Sequence, residues 1–151
     1  MAKTDWKIKY VEGNMLDMLQ NYDVAMQGCN CFHMQGAGIA GQFASRYPQV
    51  LQADIDQTIL GDKYKLGTYS KATVGNATVL NCYTQYHGGK HFDYLAFGRV
   101  LKRVKNEFSG KRIVMPLIGC GIAGADIDTI KLMITNHLIN EDVTVVIFSN
   151  L

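Results

Sequence analysis

Apolar positions along the chain recur with two different periods, which predicts strands and helices in alternation. Short apolar or alternating runs predict strands at residues 6–11, 22–26, 68–74, 78–83, 112–115 and 143–148. Apolar residues at helical spacing predict helices at residues 39–47, 50–61, 92–108 and 127–138, and a short helical turn at 15–19. This alternation predicts an α/β protein, a three-layer α/β/α sandwich with a mixed central sheet. No linker interrupts the pattern, so we expect a single domain across residues 1–151.

The composition is that of a folded protein without a marked preference for nucleic acid or membranes. Of the 151 residues, 48% are hydrophobic and two are proline, which argues against disorder. The net charge is +2, without the clustered basic face that nucleic-acid-binding proteins usually carry. The four cysteines have no zinc-site spacing and are typical of reduced intracellular thiols. The sequence shows no apolar signal segment and no membrane-spanning run, so we expect a cytoplasmic protein. We also expect it to be a monomer without a metal or cofactor.

Two glycine-rich loops each follow a predicted strand and precede a predicted helix. Residues 36–41 and 119–124 share the pattern G-x-G-I-A-G. A helix N-terminus carries unpaired backbone N–H groups and the positive end of the helix dipole, and glycines let an anion come close to them. The pair therefore predicts a site for two phosphates, or for one diphosphate held from both sides. The alternative is two independent structural loops, because glycine pairs also form ordinary tight turns.

The first loop also matches the dinucleotide-binding fingerprint G-x-G-x-x-G, which makes a Rossmann fold the first competitor. In that fold the fingerprint directly follows the strand, and an acidic residue ends the next strand about 20 residues later. Here residues 27–35 separate the strand from the glycines, and Pro48 with a second helix takes the place of the next strand. This context argues against the Rossmann fold.

The combination of motifs resembles the macro domain, the ADP-ribose-binding module. The match consists of Asn30, then Gly36-Ala37-Gly38-Ile39-Ala40, then Gly121 and Gly124 in the second loop, and it extends from residue 10 to the terminal strand. The motifs most similar to the branch of small ADP-ribose 1″-phosphate phosphatases are Cys29-Asn30-Cys31, Arg46-Tyr47-Pro48, Tyr83-Thr84-Gln85 and Ile118-Gly119-Cys120-Gly121. The resemblance implies a phosphatase that converts ADP-ribose 1″-phosphate to ADP-ribose and phosphate. Two alternatives remain: a non-catalytic binder of ADP-ribose or a derivative, and a hydrolase that removes ADP-ribose from protein or nucleic acid.

The same resemblance implies ligand-binding roles for individual residues. Asn14 stands where many macro domains have an aspartate that accepts a hydrogen bond from the adenine amino group. An asparagine amide can also accept this bond but carries no charge, so we expect weaker selectivity for adenine. Asn30 is expected to contact the distal ribose, where Ala123 replaces a frequent aromatic. Backbone N–H groups on two sides are expected to hold the diphosphate: Gly36, Ala37, Gly38 and Ile39, and Gly119, Cys120, Gly121, Ile122, Ala123 and Gly124.

Hydrolysis of a phosphomonoester needs donors for a dianion, a group that orients water and an acid for the leaving oxygen. Asp126 could orient or deprotonate water, and His33 could act as the acid or as a phosphate donor. Gln85 could position the phosphate, with His87 as an alternative. Each residue type also has a structural explanation: Asp126 could equally cap the helix that follows it, and a loop histidine is more often a surface residue.

Gln85 has a second implication within the family. A related branch that removes ADP-ribose from acidic residues or nucleic acid uses a lysine at this position, and glutamine cannot form a Schiff base with the opened ribose. That covalent route is therefore expected to be closed, although Lys90 lies nearby in the sequence and could reach the site.

Overall fold

A six-stranded sheet forms the middle layer of the protein. In the computed structural model, which describes residues 8–149, its strands β1 to β6 are Lys9–Gly13, Val24–Cys29, Tyr69–Val74, Ala77–Tyr83, Arg112–Pro116 and Asp142–Phe148. Their spatial order is β1-β6-β5-β2-β4-β3. Neighbouring strands are parallel except β3 and β4, which form an antiparallel hairpin. The predicted mixed sheet is confirmed, while the first part of the predicted first strand, at Trp6, lies outside the described residues.

Two helices pack on each face of this sheet. They are α1 and α2 on one face and α3 and α4 on the other: Gly38–Arg46, Pro48–Gln57, Tyr94–Phe108 and Ile127–His137. Neighbouring residues of β2 point to opposite faces, so that Ala25 is buried with the α1 and α2 core and Met26 with the α3 and α4 core. The predicted three-layer sandwich is therefore confirmed.

Helix α3 shows how a side-chain cap shifts a boundary that periodicity alone misplaces. The carboxylate of Asp93 accepts a hydrogen bond of 3.0 Å from the Ala96 N–H, so the helix begins at Tyr94 and not at the predicted residue 92. Leu95, which the periodicity assigns to the inner face, is 77% exposed. The buried face consists of Ala96, Phe97, Val100, Leu101 and Val104. No described helix is both long enough and apolar enough to cross a bilayer.

Sheet order brings the two glycine loops together. Strands β2, β4, β5 and β6 are parallel, so their carboxyl ends meet at one edge of the sheet. The first loop follows β2 and the second follows β5, and these two strands are direct neighbours. The loops therefore face each other although they are far apart in the sequence, at the edge where open α/β sheets bind ligands.

Candidate ligand-binding site

A cleft of about 520 Å³ opens at the carboxyl ends of the parallel strands. Ala37, Gly38 and Ile39 of the first loop form one wall, and residues 119–123 of the second loop form the opposite wall. A second opening of about 340 Å³ shares Ala37, Gln85 and Ala123 with the cleft and continues it past Gly88 and Gly89. The cleft volume falls within the roughly 300–1,000 Å³ range of small-molecule sites.

The first loop delivers the N-terminus of α1 to this cleft without a side-chain cap. Ala37 at the N-cap position makes no side-chain hydrogen bond, and the first turn of α1 contains no acidic residue. The first N–H groups of a helix have no partner within the helix, and they carry partial positive charge. Because Gly38 and Ile39 also line the cleft, this helix end is suited to binding an anion.

Glycines leave the approach to these N–H groups open. An added Cβ at Gly36 or Gly38 would meet no heavy atom within 4 Å, and Gly38 has a φ of 57°. Gly41 has a different role, since a Cβ there would lie 3.0 Å from the backbone carbon of Gly36. Gly36 and Gly38 therefore keep the ligand side clear, while Gly41 lets the loop fold back on its own helix.

Backbone turns and packing hold the second loop. Cys120 N–H donates to Leu117 O at 3.1 Å, and Ala125 N–H donates to Gly119 O at 2.7 Å. An added Cβ at Gly119 would overlap the Phe92 ring, and Gly119 has a φ of 82°. This glycine is thus needed for packing against Phe92 and for the backbone conformation of the loop. Gly119 also lines the cleft, and its contact with a ligand stays a prediction.

The N-terminus of α4, behind the second loop, is already occupied by Asp126. Its Oδ2 accepts hydrogen bonds from the Thr129 N–H at 2.9 Å and from the Thr129 hydroxyl at 2.8 Å. These bonds hold the pKa of the Asp126 carboxyl below its usual value. The adjacent Asp128 adds a second acid to the first turn. The expected cradle is therefore not symmetric, because only α1 presents an open helix end.

The three predicted catalytic residues do not come together in the cleft. Asp126 caps α4 and is not among the residues that line the cleft. The Nε2 atom of His33 lies 3.0 Å from Thr58 Oγ1, and His33 does not line the cleft either. Gln85 does line it, but its Nε2 donates to the carbonyls of His87 and Gly89 at 2.8 and 2.9 Å. Gln85 thus fixes the loop at the mouth of the cleft.

Three of the predicted ligand contacts have local structural roles. Asn14 Oδ1 accepts from the Leu16 N–H at 3.0 Å and caps a short 3-10 turn, Met15–Asp17. Asn30 accepts from the Phe32 N–H and donates to the Met34 carbonyl, which shapes the start of the first loop. Gly124 has a φ of 80°, and the Lys90 side chain packs over it. None of the three is among the cleft-lining residues, so their contact with a ligand stays a prediction.

Sequence reasoning missed two polar side chains at the floor of the cleft. Gln27 Oε1 and Thr84 Oγ1 are buried and have no hydrogen-bond partner among the described residues. Buried polar groups in proteins are nearly always paired, so both oxygens are candidate partners for a polar ligand group. The sequence feature that could have indicated this polar floor was Gln27, a polar residue within the buried strand β2.

The end of the cleft beside β6 is apolar, and it was also missed. Val146, Ile147 and Phe148 line it together with Ile39 and Leu117. A run as apolar as residues 143–148 predicts a strand buried on both faces. This prediction is correct for residues 143–146 but wrong for Ile147 and Phe148, which are 40% and 47% exposed. An exposed aromatic and aliphatic surface of this kind suits the face of a planar ring.

Titratable chemistry is sparse at the site. Cys120 lines the cleft, and burial raises the pKa of its thiol, which disfavours the nucleophilic thiolate. Burial likewise raises the pKa of the Cys31 thiol to about 11. Within residues 8–149, no cluster of three or more His, Cys, Asp or Glu side chains could hold a metal ion. Among the described residues, the cleft is therefore lined by backbone groups, amide and apolar side chains, one hydroxyl group and one thiol, without a charged side chain.

The chain is 32% identical over 148 residues to an uncharacterised 17.5 kDa protein from the tk-vs intergenic region of Enterobacteria phage T4. The alignment covers 92% of this chain and 95% of the phage protein. No protein-family profile matches the sequence.

Solved structures resemble the whole chain. A Bacteroides thetaiotaomicron protein of unknown function has a TM-score of 0.78 at 22% identity, covering 95% of this chain and 98% of its own. The macrodomain of Mycobacterium tuberculosis DarG has a TM-score of 0.74 at 22% identity, covering 97% and 99%. Thermosipho africanus DarTG, solved in complex with ADP-ribose, has a TM-score of 0.75 at 16% identity, covering 94% of this chain and 41% of its own.

Proposed function

Because the chain belongs to the same family as the phage T4 protein and has the macrodomain fold, we propose that its cleft binds ADP-ribose. The observation that carries the proposal is the uncapped N-terminus of α1, which faces the cleft behind Gly36 and Gly38. A diphosphate satisfies the unpaired N–H groups of such a helix end and matches its positive dipole. The ADP-ribose complex of Thermosipho africanus DarTG supports this choice of ligand.

We propose one orientation of ADP-ribose in the cleft. The diphosphate lies at the α1 N-terminus, between Gly38 and the second loop. The adenine ring lies in the apolar end beside Phe148, because a planar aromatic ring gains most from leaving water there. The distal ribose then lies toward Gly89 and Ala123, where the second opening continues the cleft.

We propose hydrolysis of ADP-ribose 1″-phosphate as a second activity of the same site. The observation that favours it is the opening of about 340 Å³ at the distal end, bordered by Gly88, Gly89 and Ala123, which leaves room for a terminal phosphate. No Asp, Glu, His, Lys or Arg is among the described residues that line the cleft or this opening. Slow turnover is therefore expected, with the substrate phosphate itself as the nearest proton acceptor for water.

Release of ADP-ribose from protein or nucleic acid is the weaker candidate. Gln85 stands at the mouth with its amide bound to two backbone carbonyls, and it offers no amine for a Schiff base. The stem of Lys90 packs over Gly124, and Lys90 is not among the residues lining the cleft or its distal opening.

Phosphorus NMR of ADP-ribose 1″-phosphate mixed with the purified protein tests both activities in one spectrum. We expect the diphosphate resonances to shift or broaden on binding, and inorganic phosphate to appear slowly if the second activity exists. The variant Gly38→Glu places bulk and negative charge at the α1 N-terminus, so it should abolish both effects. Asn106→Glu adds the same charge at an exposed position of α3 and should change neither. Unperturbed diphosphate resonances with the wild-type protein would refute ADP-ribose binding.

A further inference from the structure

A buried charged network lies beneath the first glycine loop. Asp54 of α2 is 0% exposed, and its carboxylate accepts hydrogen bonds from Tyr83 Oη at 2.7 Å and from Gln35 Nε2 at 3.0 Å. The Thr58 hydroxyl donates to the Asp54 backbone carbonyl at 2.7 Å and lies 3.2 Å from the carboxylate. The ammonium group of Lys65, whose side chain is 4% exposed, lies 3.8 Å from the same carboxylate. A buried carboxylate is stable only with partners of this kind.

Two residues of this network lie in the segment that directly precedes the first loop. Gln35 directly precedes Gly36, and it donates to Asp54 Oδ2. His33 lies two residues earlier, with Nε2 at 3.0 Å from Thr58 Oγ1 and 3.7 Å from Asp54 Oδ1. His33 also has a φ of 57°, which is uncommon for a residue with a side chain. Two polar side chains that precede the glycines are therefore fixed: Gln35 to α2, and His33 to Thr58 directly after α2.

The sheet anchors the other side of the network. Asn81 of β4 donates to the Val50 carbonyl at 2.9 Å and to Ser70 Oγ at 3.0 Å, and its Oδ1 lies 3.4 Å from Gln35 Nε2. The Lys65 ammonium lies 4.6 Å from the centre of the Tyr83 ring. The loop is therefore connected to the central sheet through polar side chains that have defined directions.

A buried ion pair is weak evidence for a role in stability. Replacing such a pair with well-packed apolar residues of similar volume is often neutral or stabilising. Hydrogen bonds, unlike apolar contacts, fix the direction of the side chains they join. Asp54 does not line the cleft, so its effect on the ligand is indirect. Gln35 and His33 are the partners of Asp54 in the segment that leads into Gly36 and Gly38.

We propose that Asp54 is a positioning residue for ADP-ribose: by holding Gln35 and His33, it sets the loop conformation in which Gly36 and Gly38 face the diphosphate. This inference rests on the proposed function for the identity of the ligand. The loop conformation itself is a property of the unliganded protein and can be measured without any ligand.

The test compares two variants that each remove one hydrogen bond to Asp54. Gln35→Leu cuts the bond on the loop side, and Tyr83→Phe cuts the bond on the strand side. Gln35→Leu also removes contacts of 3.4 Å with Gln27 and Asn81, and Tyr83→Phe also removes the 2.7 Å hydrogen bond with Ser70 Oγ. Both variants should therefore lower Tm. We expect Gln35→Leu to raise the ADP-ribose Kd, measured by calorimetry, by about tenfold or more, and Tyr83→Phe to raise it by less than about threefold. Equal changes in Kd would mean that the network acts only through stability and would overturn the proposal.

A double variant that exchanges the amide and the carboxylate between positions 35 and 54 tests whether Asp54 positions the loop or only contributes a contact. Asp54→Asn leaves Lys65 buried without its counter-charge and should weaken binding, provided that the variant folds. The double variant with Asp54→Asn and Gln35→Glu restores a hydrogen bond between the two positions, with the amide now on α2. It also returns one negative charge to the network, now at position 35. We expect it to recover Tm and to bring Kd back to within about threefold of wild type. A double variant that recovers Tm but not Kd would contradict the inference.

Amide chemical shifts of the unliganded proteins give a readout that is independent of the ligand. Gln35→Leu should shift the amide resonances of Gly38 and Ile39, and Tyr83→Phe should leave these two resonances unchanged. If wild type fails to bind ADP-ribose, the proposed function is wrong, and this pattern of shifts alone decides whether the network sets the loop conformation. Unchanged resonances of Gly38 and Ile39 in Gln35→Leu would overturn the inference.

Discussion

The two glycine loops share the pattern G-x-G-I-A-G but are held in place by different parts of the protein. Polar side chains hold the first loop, through Gln35 and its bond to the buried Asp54. Backbone turns hold the second loop, together with the ring of Phe92, which packs against Gly119. The helix behind the first loop begins at Gly38 and has no side-chain cap at Ala37, whereas Asp126 caps the helix behind the second loop.

This difference shows that a glycine pattern does not by itself identify an anion site. What decides the matter is whether the N–H groups of the following helix are still available. In α1 they are open to the cleft, whereas Asp126 occupies the same position in α4 and Asp128 adds further negative charge. The first loop can therefore bind the diphosphate directly, and the second supplies a wall.

The largest expected effect on stability comes from the second loop. Gly119→Ala forces a methyl group into the Phe92 ring at a backbone φ of 82°, so we expect it to lower the free energy of unfolding by about 2–4 kcal/mol. Urea denaturation measures this change. Gly121→Ala in the same loop is the matched control: nothing lies within 4 Å of its added Cβ, and the change should stay within about 0.5 kcal/mol. Equal losses in the two variants would contradict the packing role of Gly119.

The next effect concerns the affinity for ADP-ribose and tests which of the two loops binds the diphosphate. Gly36→Ala adds a methyl group where nothing lies within 4 Å, so the fold should keep its stability. The methyl group should, however, obstruct the approach of the diphosphate to α1 and raise the ADP-ribose Kd by about tenfold, measured by calorimetry. Gly121→Ala, in the wall without an open helix end, should change Kd less. A larger effect at Gly121 than at Gly36 would reverse the proposed division between the loops.

The fold could be predicted because it depends on local patterns. Periodicity located the helices and strands, and errors arose where a single side chain decided a boundary, as Asp93 does at the start of α3. The exposure of Ile147 and Phe148 could not be predicted, because it depends on a cleft formed by other segments.

The site could be predicted only in part, for a related reason. Its glycines are consecutive in sequence and were found, whereas the Asp54 network joins residues from the segment before the first loop, from α2 and from β4 that no sequence spacing connects. Gln27 and Asn81 gave a weak signal, as polar residues within buried strands. For Asp126, catalysis and helix capping require the same residue type at the same place, so the sequence alone could not separate them.

The smallest expected effect is a pH-dependent change in Tm, which tests whether Asp126 caps α4 or takes part in catalysis. Hydrogen bonds from Thr129 lower the pKa of Asp126 in the folded protein, so its contribution to stability is present above the unfolded pKa of about 3.9 and is lost as the pH falls through the folded pKa. Asp126→Ala should therefore lower Tm by a few degrees at pH 7, and the difference from wild type should shrink below about pH 4. Asp126→Asn retains a capping oxygen and should lose less. If Asp126 only caps α4, phosphate release from ADP-ribose 1″-phosphate should continue at the wild-type rate in both variants. Loss of turnover in Asp126→Asn at unchanged Tm would instead make this carboxylate catalytic, and the second loop would become the reactive side of the cleft.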